Sequence, residues 1–489
     1  MTMSRSTLLP TLTALALCAT LAGCAQIGPR PVTASTALAG VQPVDTRWQA
    51  ARPSAPAANE STSARPADPL AWWQRFDDPE VAALVLAATD GGPTLAAAQA
   101  RLDRARATQT AAASTLGPQL TASASASQGR SVPRAATATT TGGSLQASWE
   151  LDLFGANRAA ASAAAERTSA SAADLHATRT TLAAETGAAV IALRACQAQA
   201  EQSRLDAQSR STTARLTEQS AGAGFAAPAD AALARAGAAS ARNAAVAQQA
   251  QCDTLIKTLV ELTALPEATL RERLKARSGQ VPQLAGAGLA VPELPASLLA
   301  QRPDVFQAAR LLVAAAADQS AAAARQWPQI SLAGTLGALS LRSQGETTRG
   351  TVWTLGPLSI SLPLFDGGAR AAANAQARAD YDEALALYQS HVRRAVREVE
   401  SALVALDAAG SRQADAEGAA RDFEISLRAT EARWRAGLAS QFELEDARRN
   451  ALAAQNVLID LRRERSSAWV TLWRSLGGGF VAEMPSNLT

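Results

Sequence analysis

Two cysteines, Cys196 and Cys252, stand at equal distances from one glycine: each lies 28 residues from Gly224. If the chain turns back at Gly224 as two antiparallel helices, 28 residues make four heptads, so both thiols return to one level of the pair. In an oxidising compartment that spacing predicts a disulfide across a helical hairpin, with buried free thiols as the alternative. Other chemistry is sparse. His176 and His391, the two histidines of the chain, lie beside no cysteine or acidic cluster at ligand spacing, so no metal centre is expected and both read as surface helix residues. No nucleophile with its base, phosphate-cradling glycine loop or paired catalytic carboxylate motif stands out, which predicts neither an enzyme nor a cofactor. The 46 basic and 43 acidic residues are interspersed and leave a formal charge of +3, so no nucleic-acid partner is expected.

The N-terminus carries a different cysteine chemistry. Arg5 precedes an apolar run from Leu8 to Leu21, too short to span a bilayer permanently and of the length of an export signal. The run ends in Leu21, Ala22, Gly23, Cys24, which resembles the lipobox of bacterial lipoproteins. The resemblance implies cleavage after residue 23 and a diacylglyceryl group on the Cys24 thiol; a plain signal with a chance cysteine is the alternative. Ala25, where an acidic residue would retain the protein, implies passage to the outer membrane. Residues 24–70 are rich in Pro, Ala, Ser and Thr with little to bury, and read as a lipidated tether. No later stretch is long and apolar enough for a transmembrane helix, so a membrane crossing would have to use strands.

The elements that would position these groups follow from the hydrophobic period. Alanine dominates the 47% hydrophobic fraction while aromatics supply 4%, a composition that favours closely packed helices. Trp72, Trp73, Phe76 and the Asp77, Asp78, Pro79 turn open the folded part, followed by helical periods over 81–88 and 95–114. The period then becomes two. Leu120, Ala122, Ala124 and Ala126 alternate with Thr121, Ser123, Ser125 and Ser127, and a second run alternates Leu145, Ala147, Trp149, Leu151 and Leu153 with polar residues. Both have the length of a tilted strand crossing an outer membrane, apolar to lipid and polar to water; a strand pair of a soluble sandwich would look alike. Beyond Gly155 a helical pattern runs without proline to Pro228, about 100 Å at ~1.5 Å per residue, and returns over 229–265. The Ala-rich seams suit a coiled-coil hairpin.

The unit then recurs. Pro118, Gln119, Leu120 returns as Pro328, Gln329, Ile330; Leu153, Phe154, Gly155 as Leu364, Phe365, Asp366, Gly367; and Gly224, Phe225 as Gly437, Leu438, at offsets of 210, 211 and 213. The expected organisation is a first repeat over 71–280 with strands about 118–153 and a hairpin about 156–265. The second repeat, 281–480, has strands about 328–364, near 330–340 and 352–364, and a hairpin about 369–476, before a tail at 481–489.

At this length the chain resembles the outer membrane factor family, in its lipoprotein branch serving drug-efflux pumps. The most specific stretch is Leu294, Pro295, Ala296, Ser297, Leu298, Leu299 followed by Arg302, Pro303, Asp304, Val305 and by Trp327, Pro328, Gln329, Ile330; Trp149 to Gly155, Pro363 to Gly368 and Leu476 to Phe480 support it. The resemblance implies a mixed α+β membrane protein: a homotrimeric transmembrane β-barrel with four strands per protomer, continued by a periplasmic α-helical coiled-coil barrel. It implies an exit duct for drugs or other small toxic compounds, opened by a periplasmic adaptor and fed by an inner-membrane transporter. A duct for protein secretion, or a periplasmic coiled-coil lipoprotein without a pore, are the other readings. Four strands cannot close alone in lipid, because open edges leave backbone groups unpaired, and a trimer removes those edges.

The resemblance also implies site residues. Similar proteins place an acidic constriction six and nine residues past the tip glycine of the second hairpin, here Glu443 and Asp446. Arg449, on the same helical face as Asp446, is positioned to pair with a neighbouring carboxylate and hold a closed state. The first hairpin supplies Asp230, but Leu233 stands at its second acidic position. Trp434, where relatives have an aromatic residue, is the expected latch partner of Asp230. Solvated helix charges are the plainer reading of all of these. The tips Gly224, Phe225 and Gly437, Leu438 put an apolar side chain beside a glycine, implying adaptor docking, or simple helix punctuation. Trp149, Trp353 and Phe154 are the candidates for an interfacial aromatic belt.

Overall fold

The computed structural model describes residues 48–51, 69–130, 137–285 and 302–480. Cys24, the export segment, nearly all of the tether and the 294–299 motif lie outside them. The elements are α1 (Pro69–Trp73), α2 (Pro79–Thr89), α3 (Pro93–Ser114), β1 (Gln119–Gly129), β2 (Ala138–Leu151), α4 (Ala156–Gly222), α5 (Pro228–Thr263) and α6 (Glu267–Arg273). They continue as α7 (Pro303–Ala324), β3 (Gln329–Ser343), β4 (Glu346–Ser361), α8 (Ala369–Arg435) and α9 (Gln441–Ser475). Both first helices of the hairpins, α4 and α8, have 67 residues, so the duplication holds in length as well as in motif. Among the described residues no single helix is long and apolar enough to cross a membrane; α2 and α3 meet that test only as a bent pair.

One compact unit comprises 100–172 and 307–390 among the described residues. Its four strands form an antiparallel sheet in the order β1-β2-β3-β4, so the strand pairs of the two repeats join at β2 and β3. Register decides the chemistry of the faces, because residues opposite one another point to the same side. Ala122, Leu145, Leu336 and Trp353 make one row across the sheet, and Leu120, Ala147, Gly334 and Leu355 the next. The other face carries hydroxyl pairs: Ser123 with Ser144 at 2.9 Å, Thr335 with Thr354 at 2.6 Å and Ser331 with Ser359 at 2.7 Å. A bulge opposite Leu332–Gly334, beside the cis Gly356–Pro357 bond, keeps Ile360 and Leu358 on the apolar face despite the change of parity. Leu120 (71% exposed), Trp353 (73%) and Leu355 (82%) are left uncovered by their own chain, the condition of a lipid-facing surface.

Each strand pair hands its chain to a long helix through an aspartate. Asp152 accepts from the backbone N–H groups of Asn157 and Arg158, and Asp366 from those of Gly368 and Arg370, satisfying donors that a helix start leaves open. The helices of this unit pack through small residues, Ala163 against Ala314 and Ala317. Phe154 stacks on Trp327 with ring centroids 5.5 Å apart, and the Trp149 indole N–H donates to the Leu116 carbonyl at 3.0 Å.

Among the described residues the second unit comprises 48–51, 69–99, 173–285, 302–306 and 391–480. Its core is aromatic: Trp72 stacks on Trp473 at 5.3 Å and meets Trp73 edge-on at 4.6 Å, with Phe76, Leu84, Leu193 and Leu259 around them. Gly187 lets Trp73 in, since a Cβ there would lie 2.2 Å from Trp73 Cζ3. Within this core Arg194 and Asp78 form an ion pair at 2.8 Å, exposed by 0% and 1%. Asp78 also caps α2, and Arg194 donates to the Leu274 carbonyl at 2.6 Å. Cys196 and Cys252 are joined by a disulfide with Cα atoms 5.6 Å apart, stapling α4 to α5. One histidine departs from the sequence reading. His391 is half-buried with a buried Nδ1 that has no hydrogen-bond partner, because α8 there packs beside the Arg302–Asp304–Glu398 cluster and does not face open water.

The hairpin tips as candidate functional site

The tips are made by the same local rule twice. In each, the glycine has a positive φ, 80° at Gly224 and 74° at Gly437, and the next residue's N–H reaches back five residues: Phe225 to the Ser220 carbonyl at 2.9 Å, Leu438 to that of Arg433 at 2.8 Å. This is the Schellman ending, which wants glycine for its left-handed backbone and usually packs the following apolar residue back onto its helix. Here the following residue stays out, Phe225 87% and Leu438 71% exposed. Helix punctuation thus accounts for the glycines and not for the bare side chains beside them.

Past the second tip, Ser440 caps α9 and Glu443 completes a capping box. The Glu443 carboxylate accepts from the Ser440 N–H at 2.6 Å and the Ser440 hydroxyl accepts from the Glu443 N–H at 3.1 Å. These bonds to Ser440, with the Arg433 guanidinium 3.8 Å away, hold the exposed Glu443 carboxyl below its ordinary pKa. Asp446 accepts from Arg449 at 2.7 Å and from Asn450 at 3.3 Å; the Arg449 pairing is thus one turn away on its own helix. Asp230 sits exposed in the first turn of α5. It lines, with Trp434, Leu233, Phe442 and Arg449, a cleft of about 680 Å3. Asp230 and Trp434 therefore share a cleft, but no hydrogen bond joins them among the described residues.

A second set of charges escaped the sequence reading. Arg448 donates to Thr213 Oγ1 of α4 at 3.2 Å and to Glu445 at 3.0 Å, and lies 3.6 Å from Glu431 of α8. Arg210 of α4 pairs with Asp206 at 2.9 Å and stands 3.9 Å from Glu445. One arginine of α9 thus ties both hairpins together just behind the tips. Arg448 follows the buried Leu444 by four residues, which puts it on the packed stripe of α9, whereas Asp446 and Arg449 lie toward solvent. That offset was the available signal. Among the described residues no group of three potential metal ligands comes together.

The comparisons with known proteins agree with this architecture. The family model described as Outer membrane efflux protein matches residues 85–265 and 294–478, one block per repeat, and the chain belongs to that family. It is 31% identical over 338 residues to the outer membrane protein OprJ of Pseudomonas aeruginosa, covering 68% of each chain. It is 27% identical to OpmQ of the same organism, a pyoverdine export outer membrane protein, over 84% of this chain and 88% of the relative. A solved structure of the outer-membrane channel OprN superposes with a TM-score of 0.76 at 29% identity, covering 92% of this chain and 99% of that one. The four strands and two long hairpins are one protomer's share of an outer-membrane channel, and the protein is the outer-membrane component of an efflux system, set in the outer membrane and reaching into the periplasm.

Proposed function

We propose that the chain works as a homotrimer that conducts small toxic compounds outward passively, opened at the hairpin tips by a periplasmic adaptor linked to an inner-membrane transporter. The observation that carries this is the pair of bare apolar residues at the tips, Phe225 and Leu438, each held out beside a glycine that ends a 67-residue helix. Water gives no reason to keep such side chains exposed at two equivalent turns, and a helical partner does. Glu443 and Asp446 would give two rings of three carboxylates in the trimer, fixed by Ser440 and Arg449. Arg448, tying α9 to α4 and α8, is the contact that opening must loosen. Asp230 and Trp434 line the cleft that such a partner would enter. Lipid anchoring through Cys24 belongs to the same reading.

Photo-crosslinking in cells tests the docking step. A crosslinking side chain at Phe225 or Leu438 is expected to capture the adaptor, and one at Val246, equally exposed at 71% but away from the tips, is not. Equal capture at all three positions, or none at the tips, would sink the assignment.

A further inference from the structure

The outer ends of β3 and β4 carry a polarity opposite to that of the sheet below them. The apolar face runs from Ile330 to Ala338 on β3, nine residues, about the number a tilted strand needs to cross a membrane. Both strands continue for five residues more, 339–343 and 346–350, and join through a two-residue turn in which Gln344 (φ 53°) and Gly345 (φ 91°) are both left-handed. In this overhang the face that looks to lipid lower down carries Ser340, Arg342, Thr347 and Arg349. The face lined lower down by Ser331, Thr335, Thr354 and Ser359 carries Leu339 and Leu341, with Val352 one step below, exposed by 41%, 39% and 55%.

A water-filled lumen selects polar side chains, and charged ones suit the outside of a strand beyond the lipid. The outer face obeys that rule; on the inner face Ser343, Glu346 and Thr348 obey it, and Leu339, Leu341 and Val352 break it. No element of the chain covers these residues among those described. β4 is the sheet's edge strand, so the patch continues directly into the boundary at which the next copy must add its own strand. The small residues needed for an inward lean are in place. Gly350 lies opposite Leu339 and Gly337 opposite Val352, while a Cβ on Gly142 would come within 3.2 Å of Leu339 Cδ1 and 2.9 Å of the Ala338 carbonyl.

We propose that the three β3–β4 overhangs lean toward the barrel axis and pack Leu339, Leu341 and Val352 of three copies against one another, forming an apolar collar that narrows the outer mouth. The collar rests on the trimeric reading above and adds a second constriction, distinct in place and chemistry from the acidic tips. Being apolar, it resists ions and yields to compounds that can replace its own contacts.

Two measurements on the full-length protein test it, each begun by checking for a trimer by native mass spectrometry. In trimers of Leu341→Cys, oxidation with copper phenanthroline is expected to give at least about fivefold more covalent dimer than in Arg342→Cys trimers, because a disulfide needs Cα atoms within about 7 Å. The readout is clean among the described residues, since Cys196 and Cys252 are already bonded. Equal cross-linking of the two variants would overturn the collar. The Leu339→Ser, Leu341→Ser double variant is expected to raise single-channel conductance about twofold by wetting the constriction, and an unchanged conductance would overturn it as well. A wild-type protein that is no trimer at the first step would count against the assembly itself, not against the collar alone.

Discussion

Glu443 closes the capping box of α9, and in the proposed gate the same carboxylate would offer its charge to the duct, so that the two roles would have one pH dependence. Its pKa is lowered in the folded chain, so the stability and charge it contributes are present above the ordinary glutamate range and are lost as pH falls through the lowered value. Cation preference, read from reversal potentials, should therefore persist through the ordinary glutamate range and fade only below it. Ser440→Ala removes the hydroxyl contribution while keeping the larger one, the bond from the residue 440 backbone N–H, and should move that loss part of the way to higher pH; an unmoved midpoint would count against the assignment. At Asp78 the expectation concerns stability. Asp78→Ala strands the fully buried Arg194 guanidinium and should cost about 3–5 kcal/mol, read as a lower unfolding midpoint, with part restored when Arg194→Met is added. At this scale the sequence was legible only where spacing carried the signal. Cys196 and Cys252 could be paired by counting from Gly224, whereas the partners Asp78 and Arg194 stand 116 residues apart with no common landmark.

Among the elements, the two hairpins owe their form to what is absent, a proline between Gly155 and Pro228 and again between Gly368 and Leu476, and to the glycine that ends each first helix. The disulfide closes a loop of 56 residues in the first hairpin only. Removing it by Cys196→Ser, Cys252→Ser should cost up to about 4 kcal/mol in the chain-entropy account, measured by denaturant unfolding; wild type in reductant should match the variant. Gly187→Ala, by forcing a Cβ into the Trp73 ring, should disturb the aromatic core and quench or shift tryptophan emission, and an unchanged spectrum would argue against that packing. Strand existence was legible from alternation, but strand ends were not. Expectation stopped β3 near residue 340 and began β4 near 352, whereas they run to Ser343 and from Glu346. The missing residues are those where polarity reverses between the faces, so alternation of apolar and polar types could not report them. The bulge beside Gly356–Pro357 was likewise invisible, because it alters which residues share a face without altering their types.

For the whole molecule, the family, the channel fold and the place in the outer membrane follow from a duplicated chain whose sheet has an apolar face, a hydroxyl face and two open edges. The sheet supplies the membrane crossing, with Ser123, Ser144, Thr335, Thr354 and the carboxylate of Glu150 on its hydroxyl face, and in the proposed gate the tips add the carboxylates of Glu443 and Asp446. Under that proposal, neutralising the tip carboxylates should change ion selectivity. The most direct measurement is planar-bilayer conductance of the purified protein at several salt concentrations, wild type against the Glu443→Gln, Asp446→Asn double variant. Small cation-preferring currents in wild type that grow and lose their preference in the variant are the predicted result. Wild-type and variant trimers that pass identical currents, or none at all, would contradict a duct gated at its hairpin tips.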